Sequence, residues 1–171
     1  MNQHTHHCHH HNVYHEHDHN PATRMAEAKA HCLERGVRFT PLREQVFELI
    51  LEADRPMGAY DLISALQVKR QDDPIKSGKN IAPPTVYRSL EFLLDEGLIH
   101  QLSSINAYVP CCHPRSQHAA AFLICNRCQK VEECSNPPVQ SILDFATNDA
   151  SFAVERTVIE LKGICRDCQA H

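Results

Sequence analysis

This 171-residue sequence has few aromatic residues and no long apolar run. Tryptophan is missing, and Phe and Tyr together make up only 6% of the residues. No apolar run approaches the roughly 20 residues that a membrane-spanning helix needs. The chain starts with polar residues, unlike a secretory leader. We therefore expect a soluble, cytoplasmic protein with no membrane partner.

Positive charge is also scarce. The formal net charge is −4, and residues 23–97 contain 11 Lys and Arg against 12 Asp and Glu. Many nucleic-acid readers carry a broad basic face, so DNA binding here has to depend on a local surface. Catalytic signatures such as H-E-x-x-H, a phosphate-binding loop or a nucleophile elbow are missing as well. These absences predict that the protein is not an enzyme and has no small organic substrate.

Cysteine, in contrast, is abundant, with nine residues. Without a secretory leader a disulfide framework is not expected, and paired cysteines in a reducing compartment usually bind zinc. Residues 125–128 (Cys-Asn-Arg-Cys) and 165–168 (Cys-Arg-Asp-Cys) form two C-x-x-C turns. Two such turns complete the closed tetrahedral shell of a structural Zn²⁺, whereas a redox pair or incidental cysteines would not explain the duplication. The predicted ligands are Cys125, Cys128, Cys165 and Cys168.

A second group of potential ligands is looser in sequence. Its mixed nitrogen, sulfur and oxygen donors suit zinc better than they suit harder ions. Histidines and a glutamate at such spacings are more often ordinary surface or core residues, so spacing alone leaves both interpretations open. The group consists of His100, Cys111, His118 and Glu133. Further candidates nearby are Cys112, His113 and Cys134.

The first residues form a compositionally distinct segment. Residues 1–20 contain nine histidines and one cysteine, with almost nothing apolar. We expect a disordered tail over residues 1–22 that binds additional metal. The alternative is the remnant of an affinity tag, but Thr5, Cys8 and the alternating His and acidic residues at 15–19 interrupt the histidine run.

Hydrophobic periodicity predicts four helices and a hairpin in the first half. The first helix extends from about Thr23 to Arg35, and Gly36 ends it. The second begins with Thr40 as its N-cap and Pro41 as its first helical residue, and it ends near residue 54. A shorter third helix covers residues 60–66, and residues 68–82 are predicted to be a surface loop. Residues 98–103 and 107–111 are hairpin strands.

The fourth helix opens at Pro83 and ends before Gly97. Its core stripe consists of Val86, Leu90, Leu93 and Leu94. Arg88 points away from this stripe, with Thr85 beside it and Tyr87 on the flank. Three helices, this helix and a hairpin predict a winged helix. In the second half, strands at 120–125, 130–133 and 152–161 and a helix at 138–149 predict a small α+β unit.

Several motifs occur together in one order. They are residues 83–93 (Pro-Pro-Thr-Val-Tyr-Arg-Ser-Leu-Glu-Phe-Leu), 37–43 (Val-Arg-Phe-Thr-Pro-Leu-Arg), 59–62 (Ala-Tyr-Asp-Leu), 97–100 (Gly-Leu-Ile-His) and the first cysteine pair followed by Glu133. With them the chain resembles the ferric uptake regulator family from about residue 26 to residue 168, and most of all its zinc uptake regulator branch.

The resemblance implies an α+β protein in which a winged-helix DNA-binding domain (23–111), with a hinge at its end, joins a small α/β dimerisation domain (112–171) that holds structural zinc. It implies a homodimer on double-stranded operator DNA and two Zn²⁺ per subunit. The regulatory zinc would be bound by His100, Cys111, His118 and Glu133. The DNA contacts would be Tyr60, Thr85, Tyr87 and Arg88.

The function implied is a zinc-responsive repressor of zinc-uptake genes, with Zn²⁺ as co-repressor. An iron-, manganese- or peroxide-responsive regulator of the same fold and a zinc-buffering protein are the alternatives. The family's histidine cluster before the first cysteine pair is thinned here to His113 and His118, which weakens an iron-sensing interpretation. The thiolate of Cys111 also speaks against it.

Overall fold

The computed structural model describes residues 20–71, 80–111, 119–134, 139–155 and 157–170. The predicted histidine-rich tail, residues 72–79 of the predicted loop, and Cys112, His113 and His118 lie outside these ranges. The described residues fall into two compact units, 20–111 and 119–170, and each unit is treated by itself below.

The first unit contains four helices and a two-stranded hairpin. The helices are α1 (Pro21–Glu34), α2 (Pro41–Glu52), α3 (Ala59–Gln71) and α4 (Pro83–Asp95), and the strands are β1 (Ile99–Leu102) and β2 (Ala107–Pro110). The Asn20 side chain caps α1 by accepting from the Ala22 N–H at 2.9 Å. Proline occupies the start of α1, α2 and α4, where its missing N–H costs nothing. The predicted winged helix is confirmed.

The core of this unit lies between α2, α3 and α4. Each of these helices buries a stripe at three- and four-residue spacing, and the hairpin packs beside them. A further bridge between Met57 and Tyr108 joins the chain before α3 to β2. The most buried members of the stripes are Val46, Phe47, Ile50, Leu62, Leu66, Val86, Leu90 and Leu93. Helix α4 is therefore packed against the core from one side.

The predicted loop at residues 68–82 is partly wrong. Helix α3 continues to Gln71, and Ile81 is buried in the core. The extension has no apolar period because it lies on the surface, where Lys69 donates to Glu48 of α2 at 2.9 Å. A polar helical turn supported by a neighbouring helix cannot be distinguished from a loop by hydrophobic period alone.

The second unit is a three-stranded sheet with short helices. Its elements are β3 (Ala120–Cys125), β4 (Val131–Cys134), α5 (Gln140–Asp144) followed by a π-helical turn (Phe145–Asp149), β5 (Val158–Gly163) and α6 (Arg166–Gln169). Strand β3 is central, antiparallel to β4 and parallel to β5. The prediction for β3 is confirmed, and β4 begins one residue later than predicted.

The last strand was predicted at residues 152–161, and this is wrong. Phe152 lies outside any strand, and β5 begins at Val158. Strand β3 has only six residues. Because β5 forms its strand hydrogen bonds with β3, it extends only over the residues that pair with β3. The predicted helix at 138–149 is interrupted by the π turn, and α6 was not predicted.

Truncating a core side chain of α3 tests the packing of the first unit. We expect Leu62→Ala to lower the free energy of unfolding by about 3 kcal/mol, because Leu62 is fully buried and the change leaves a cavity. Urea denaturation followed by circular dichroism measures this. Val68→Ala is the matched control on the same helix, and it should change stability by less than about 0.5 kcal/mol because Val68 is 59% exposed. Equal effects of the two changes would contradict the packing described.

Candidate metal centres and nucleic-acid surface

The pairing of β3 with β5 brings the two C-x-x-C turns to one edge of the sheet. In this parallel register Cys125 lies opposite Gly163, so both strands end at the same level. Each turn begins where its strand ends, and the Asn126 N–H donates to the Gly163 carbonyl across the gap at 2.8 Å. Helix α6 then carries Cys168 three residues after Cys165. Turns 36 residues apart in sequence thereby face one point in space.

The sulfur atoms of the four predicted structural ligands lie within 4.8 Å of one another. Cys128 Sγ is 3.7 Å from Cys165 Sγ, and the Cys165 N–H donates to Cys125 Sγ at 3.3 Å. No other arrangement of thiols in the described residues forms such a cluster. Four convergent thiolates with this spacing fit a tetrahedral Zn²⁺ shell.

The acidity of these thiols shows why the cluster suits a cation. Hydrogen bonds from the backbone N–H groups of Cys128 and Cys165 lower the pKa of the Cys125 thiol to about 6. The hydrogen bond with Cys165, together with burial, raises the pKa of the Cys168 thiol to about 12. Cys125 therefore forms a thiolate readily, whereas the neighbouring cysteines oppose the ionisation of Cys168. A divalent cation removes that repulsion by binding all four as thiolates.

Two further contacts brace the turns. Arg127 Nη1 donates to the Cys168 carbonyl at 2.7 Å, which ties the first turn to the second. The Gln129 N–H donates to the Cys125 carbonyl at 3.0 Å, and Gln129 has a left-handed φ of 61°. Neither contact is predictable from the sequence motifs, because Arg127 and Gln129 are not metal ligands in the C-x-x-C pattern.

The wing hairpin places two of the predicted regulatory ligands together. His100 pairs with Val109 across the antiparallel ladder, and Cys111 lies two residues beyond Val109, so both side chains are on the same face. Their ligand atoms lie within 4.8 Å of each other, and Cys111 is only 1% exposed. An imidazole and a shielded thiol at this distance fit half of a zinc site.

The remaining predicted ligands belong to other parts of the chain. Glu133 is a half-buried residue of β4 in the second unit, opposite Phe122 of β3. Cys134 follows it and points to the other face of the sheet, and burial, reinforced by Glu132 and Glu133, raises the pKa of its thiol. His118, Cys112 and His113 lie outside the described residues.

Arg24 was not predicted as a site residue, but it contacts this region. Its guanidinium Nη2 donates to the carbonyl of Cys111, 87 residues away in sequence. No periodicity or motif connects a helix α1 arginine to the exit of the wing. Only the folded first unit shows that the two residues meet.

The predicted DNA-contacting side chains are all exposed. Thr85, Tyr87 and Arg88 lie on the solvent side of α4, and Tyr60, at the start of α3, is 75% exposed. Helix α4 is also supported from its flank, where Arg43 lies 3.6 Å above the ring of Phe92. The Ser89 hydroxyl donates to the Thr85 carbonyl at 3.0 Å. The helix thus presents one arginine, one tyrosine and one threonine outward from a fixed base.

None of the helices within the described ranges combines the length and the apolar character needed to cross a membrane.

Known proteins share both units. The chain is 38% identical over 146 residues to the zinc uptake regulation protein of Escherichia coli strain K12, which covers 84% of this chain and 80% of that protein. It is 27% identical to the peroxide operon regulator of Bacillus subtilis strain 168, over 86% of this chain and 94% of that protein.

Among solved structures, a zinc uptake regulator complexed with zinc and DNA matches with a TM-score of 0.76 at 36% identity, covering 88% of this chain and 96% of that one. The holo form of XcZur matches with a TM-score of 0.72 at 38% identity, covering 88% of this chain and 99% of that one. A sequence model described as the ferric uptake regulator family matches residues 34–162. This chain therefore belongs to the ferric uptake regulator family.

Proposed function

We propose that the protein is a zinc-responsive, DNA-binding transcriptional repressor that controls zinc-uptake genes, with Zn²⁺ as co-repressor. The observation that carries the proposal is the shielded His100 and Cys111 pair on the wing of a DNA-reading fold. A thiolate beside an imidazole favours zinc over the harder ions that iron or manganese sensors bind. The higher identity to a zinc uptake regulator than to a peroxide regulator supports the same choice.

We propose two zinc ions per subunit. The structural ion is held by the four cysteines at the edge of the second unit's sheet. The regulatory ion is held by His100 and Cys111 from the wing and its exit, and by His118 and Glu133 from the chain that follows. The histidine-rich residues 1–20 offer further imidazoles for additional zinc.

We propose that the regulatory ion acts on the wing, where two of its proposed ligands, His100 and Cys111, lie on one face of the hairpin that follows α4. An operator demands half-sites about 34 Å apart, so in a symmetric dimer zinc has to favour the arrangement in which the two α4 helices have that spacing. Zinc must then bind the DNA-competent arrangement more tightly than the alternatives, and DNA must in turn raise the affinity for zinc.

Homodimerisation is supported by the exposed apolar side chains of the second unit. Leu123 and Leu161 are paired in the β3–β5 register on one sheet face, and both are at least 40% exposed. Large apolar side chains exposed together on a small unit favour a protein partner over solvent. Others of this kind in the unit are Ile142, Phe145 and Phe152.

On DNA, we expect the exposed side chains of α3 and α4 to make two kinds of contact, one with bases and one with phosphates. Arg88 has the geometry to donate two hydrogen bonds to a guanine edge in the major groove. Tyr60, Thr85 and Tyr87 carry hydroxyls that suit phosphate oxygens, which position the helix without reading sequence.

A gel-shift titration with operator-containing fragments tests the function directly. We expect Zn²⁺ to induce binding at concentrations where Fe²⁺ and Mn²⁺ do not. Binding induced by Fe²⁺ or Mn²⁺ at lower concentration than Zn²⁺ would favour the alternative regulators of this fold. Complete zinc loading without any DNA binding would favour a zinc-buffering protein.

Removing the wing thiolate should separate the two zinc sites. We expect Cys111→Ser to weaken zinc-dependent operator binding at least tenfold, because a serine hydroxyl is a poor zinc ligand. The structural ion should remain, so that elemental analysis gives one zinc per subunit fewer than in the parent protein. Cys134→Ser is the control, since Cys134 belongs to neither ligand group. Loss of regulation in the control but not in Cys111→Ser would contradict the assignment.

The four-cysteine cluster should hold the second unit together. We expect Cys168→Ser to lose the structural zinc and several kcal/mol of stability, because binding free energy at such sites is folding free energy. Differential scanning calorimetry and zinc content measure both effects. A variant that melts like the parent protein while lacking this zinc would show that the cluster is not structural.

Replacing Arg88 tests whether its side chain contacts a base or a phosphate. We expect Arg88→Ala to cost about 1–3 kcal/mol of operator affinity and to relax the base preference at one position of each half-site. Fluorescence anisotropy on operator and unrelated DNA measures the two affinities. Lys29→Ala, on the remote helix α1, controls for the lost positive charge. An equal loss on unrelated DNA would assign Arg88 to the phosphates instead.

A further inference from the structure

Both backbone polar groups of Cys111 are held in place. Its N–H donates to the Leu98 carbonyl at 3.0 Å, which extends the wing hairpin by one residue pair. Its carbonyl accepts a hydrogen bond from the guanidinium of Arg24. With both peptide groups fixed, the direction of the Cys111 Cα–Cβ bond is fixed as well, and so is the region that its Sγ can reach.

Arg24 acts from a rigid base. It lies in the first turns of α1, whose inner face buries Ala28 and Cys32 in the core. At the far end of the helix, Arg35 Nε lies 2.7 Å from a carboxylate oxygen of the buried Glu96, and His31 Nε2 lies 3.2 Å from the same oxygen. The helix is therefore anchored along its length, and the guanidinium is aimed at the exit of the wing.

We propose that Arg24 is a positioning residue for the regulatory zinc, holding the Cys111 carbonyl so that the thiolate faces the His100 imidazole. The inference rests on the regulatory site proposed above. It goes beyond that site because Arg24 offers no metal ligand of its own and acts only through the backbone of a ligand.

The physical reason is preorganisation. Zinc binds a pair of ligands most tightly when they are already in position, because no conformational entropy is then lost on binding. A planar guanidinium with several donors in fixed geometry restrains a carbonyl more closely than a flexible ammonium does. Outer-shell groups that orient metal ligands contribute about 10- to 100-fold in metal affinity.

The experiment uses the full chain with its structural zinc retained and its regulatory site emptied by a mild chelator. Co²⁺ is titrated in, and the part of the sulfur-to-cobalt charge-transfer band that Cys111→Ser removes reports ligation by Cys111. We expect Arg24→Gln to weaken Co²⁺ binding at this site at least tenfold, with competing zinc giving the same ratio. Arg24→Lys should recover part of the loss, since an ammonium still donates one hydrogen bond.

Two control variants separate positioning from general effects. Lys29→Gln removes a positive charge from the same helix, where Lys29 pairs with Glu44 at 2.8 Å, and should leave Co²⁺ affinity unchanged. Arg127→Gln removes the other arginine that donates to a cysteine carbonyl, and should affect only retention of the structural zinc.

The outcomes are distinguishable. If Arg24→Gln binds Co²⁺ like the parent protein, or lowers only the melting temperature, the positioning role is wrong while the proposed function stands. If the parent protein itself shows no sulfur-to-cobalt charge-transfer band while its structural site stays filled with zinc, the regulatory zinc site fails, and the proposed function fails with it. A selective loss in Arg24→Gln with partial recovery in Arg24→Lys supports the inference.

Discussion

The second unit depends on the hydrogen-bonded register between β3 and β5. Because the two strands are parallel, their carboxyl ends meet at one sheet edge, and the chain leaves each strand directly into a C-x-x-C turn. Four thiols then share a space in which Cys125 ionises easily and Cys168 resists ionisation. A unit of this size has only a marginal core of its own, so a metal or a partner subunit is expected to add stability. A cation that balances the four thiolates would supply such stability.

In the first unit, packing holds helix α4 from one side and leaves its outer face exposed. Helix α4 is fixed by Val86, Leu90 and Leu93 from below and supported at its flank by Phe92 under Arg43. This arrangement lets Arg88 stay exposed without loss of order in the backbone that carries it. The unit has no excess of positive charge. Recognition therefore depends on placing a few side chains accurately, more than on long-range attraction.

The two proposed zinc sites share one structural feature. In each, an arginine donates to the carbonyl of a cysteine: Arg127 to Cys168 at the four-cysteine cluster and Arg24 to Cys111 at the wing. Constraining the backbone of a ligand leaves the sulfur available to the metal, because the arginine occupies the carbonyl and not the thiol. The motifs of the family point to the ligands themselves, whereas these supporting contacts are visible only in the folded chain.

The sequence by itself determined the four helices and the wing, because capping prolines, glycine stops and apolar stripes are local signals that tertiary packing did not override. It also predicted the four cysteines of the proposed structural site, and the structure brings their sulfur atoms within 4.8 Å of one another. Only the tertiary structure decided that α3 continues to Gln71, that β5 begins at Val158, and that Arg24 meets Cys111. The physical reason is common to all three, because each depends on a partner that is distant in sequence. For the end of α3 the partner is helix α2, for β5 it is strand β3, and for Arg24 it is the residue that follows β2. Such contacts leave no period or motif in the residues that make them.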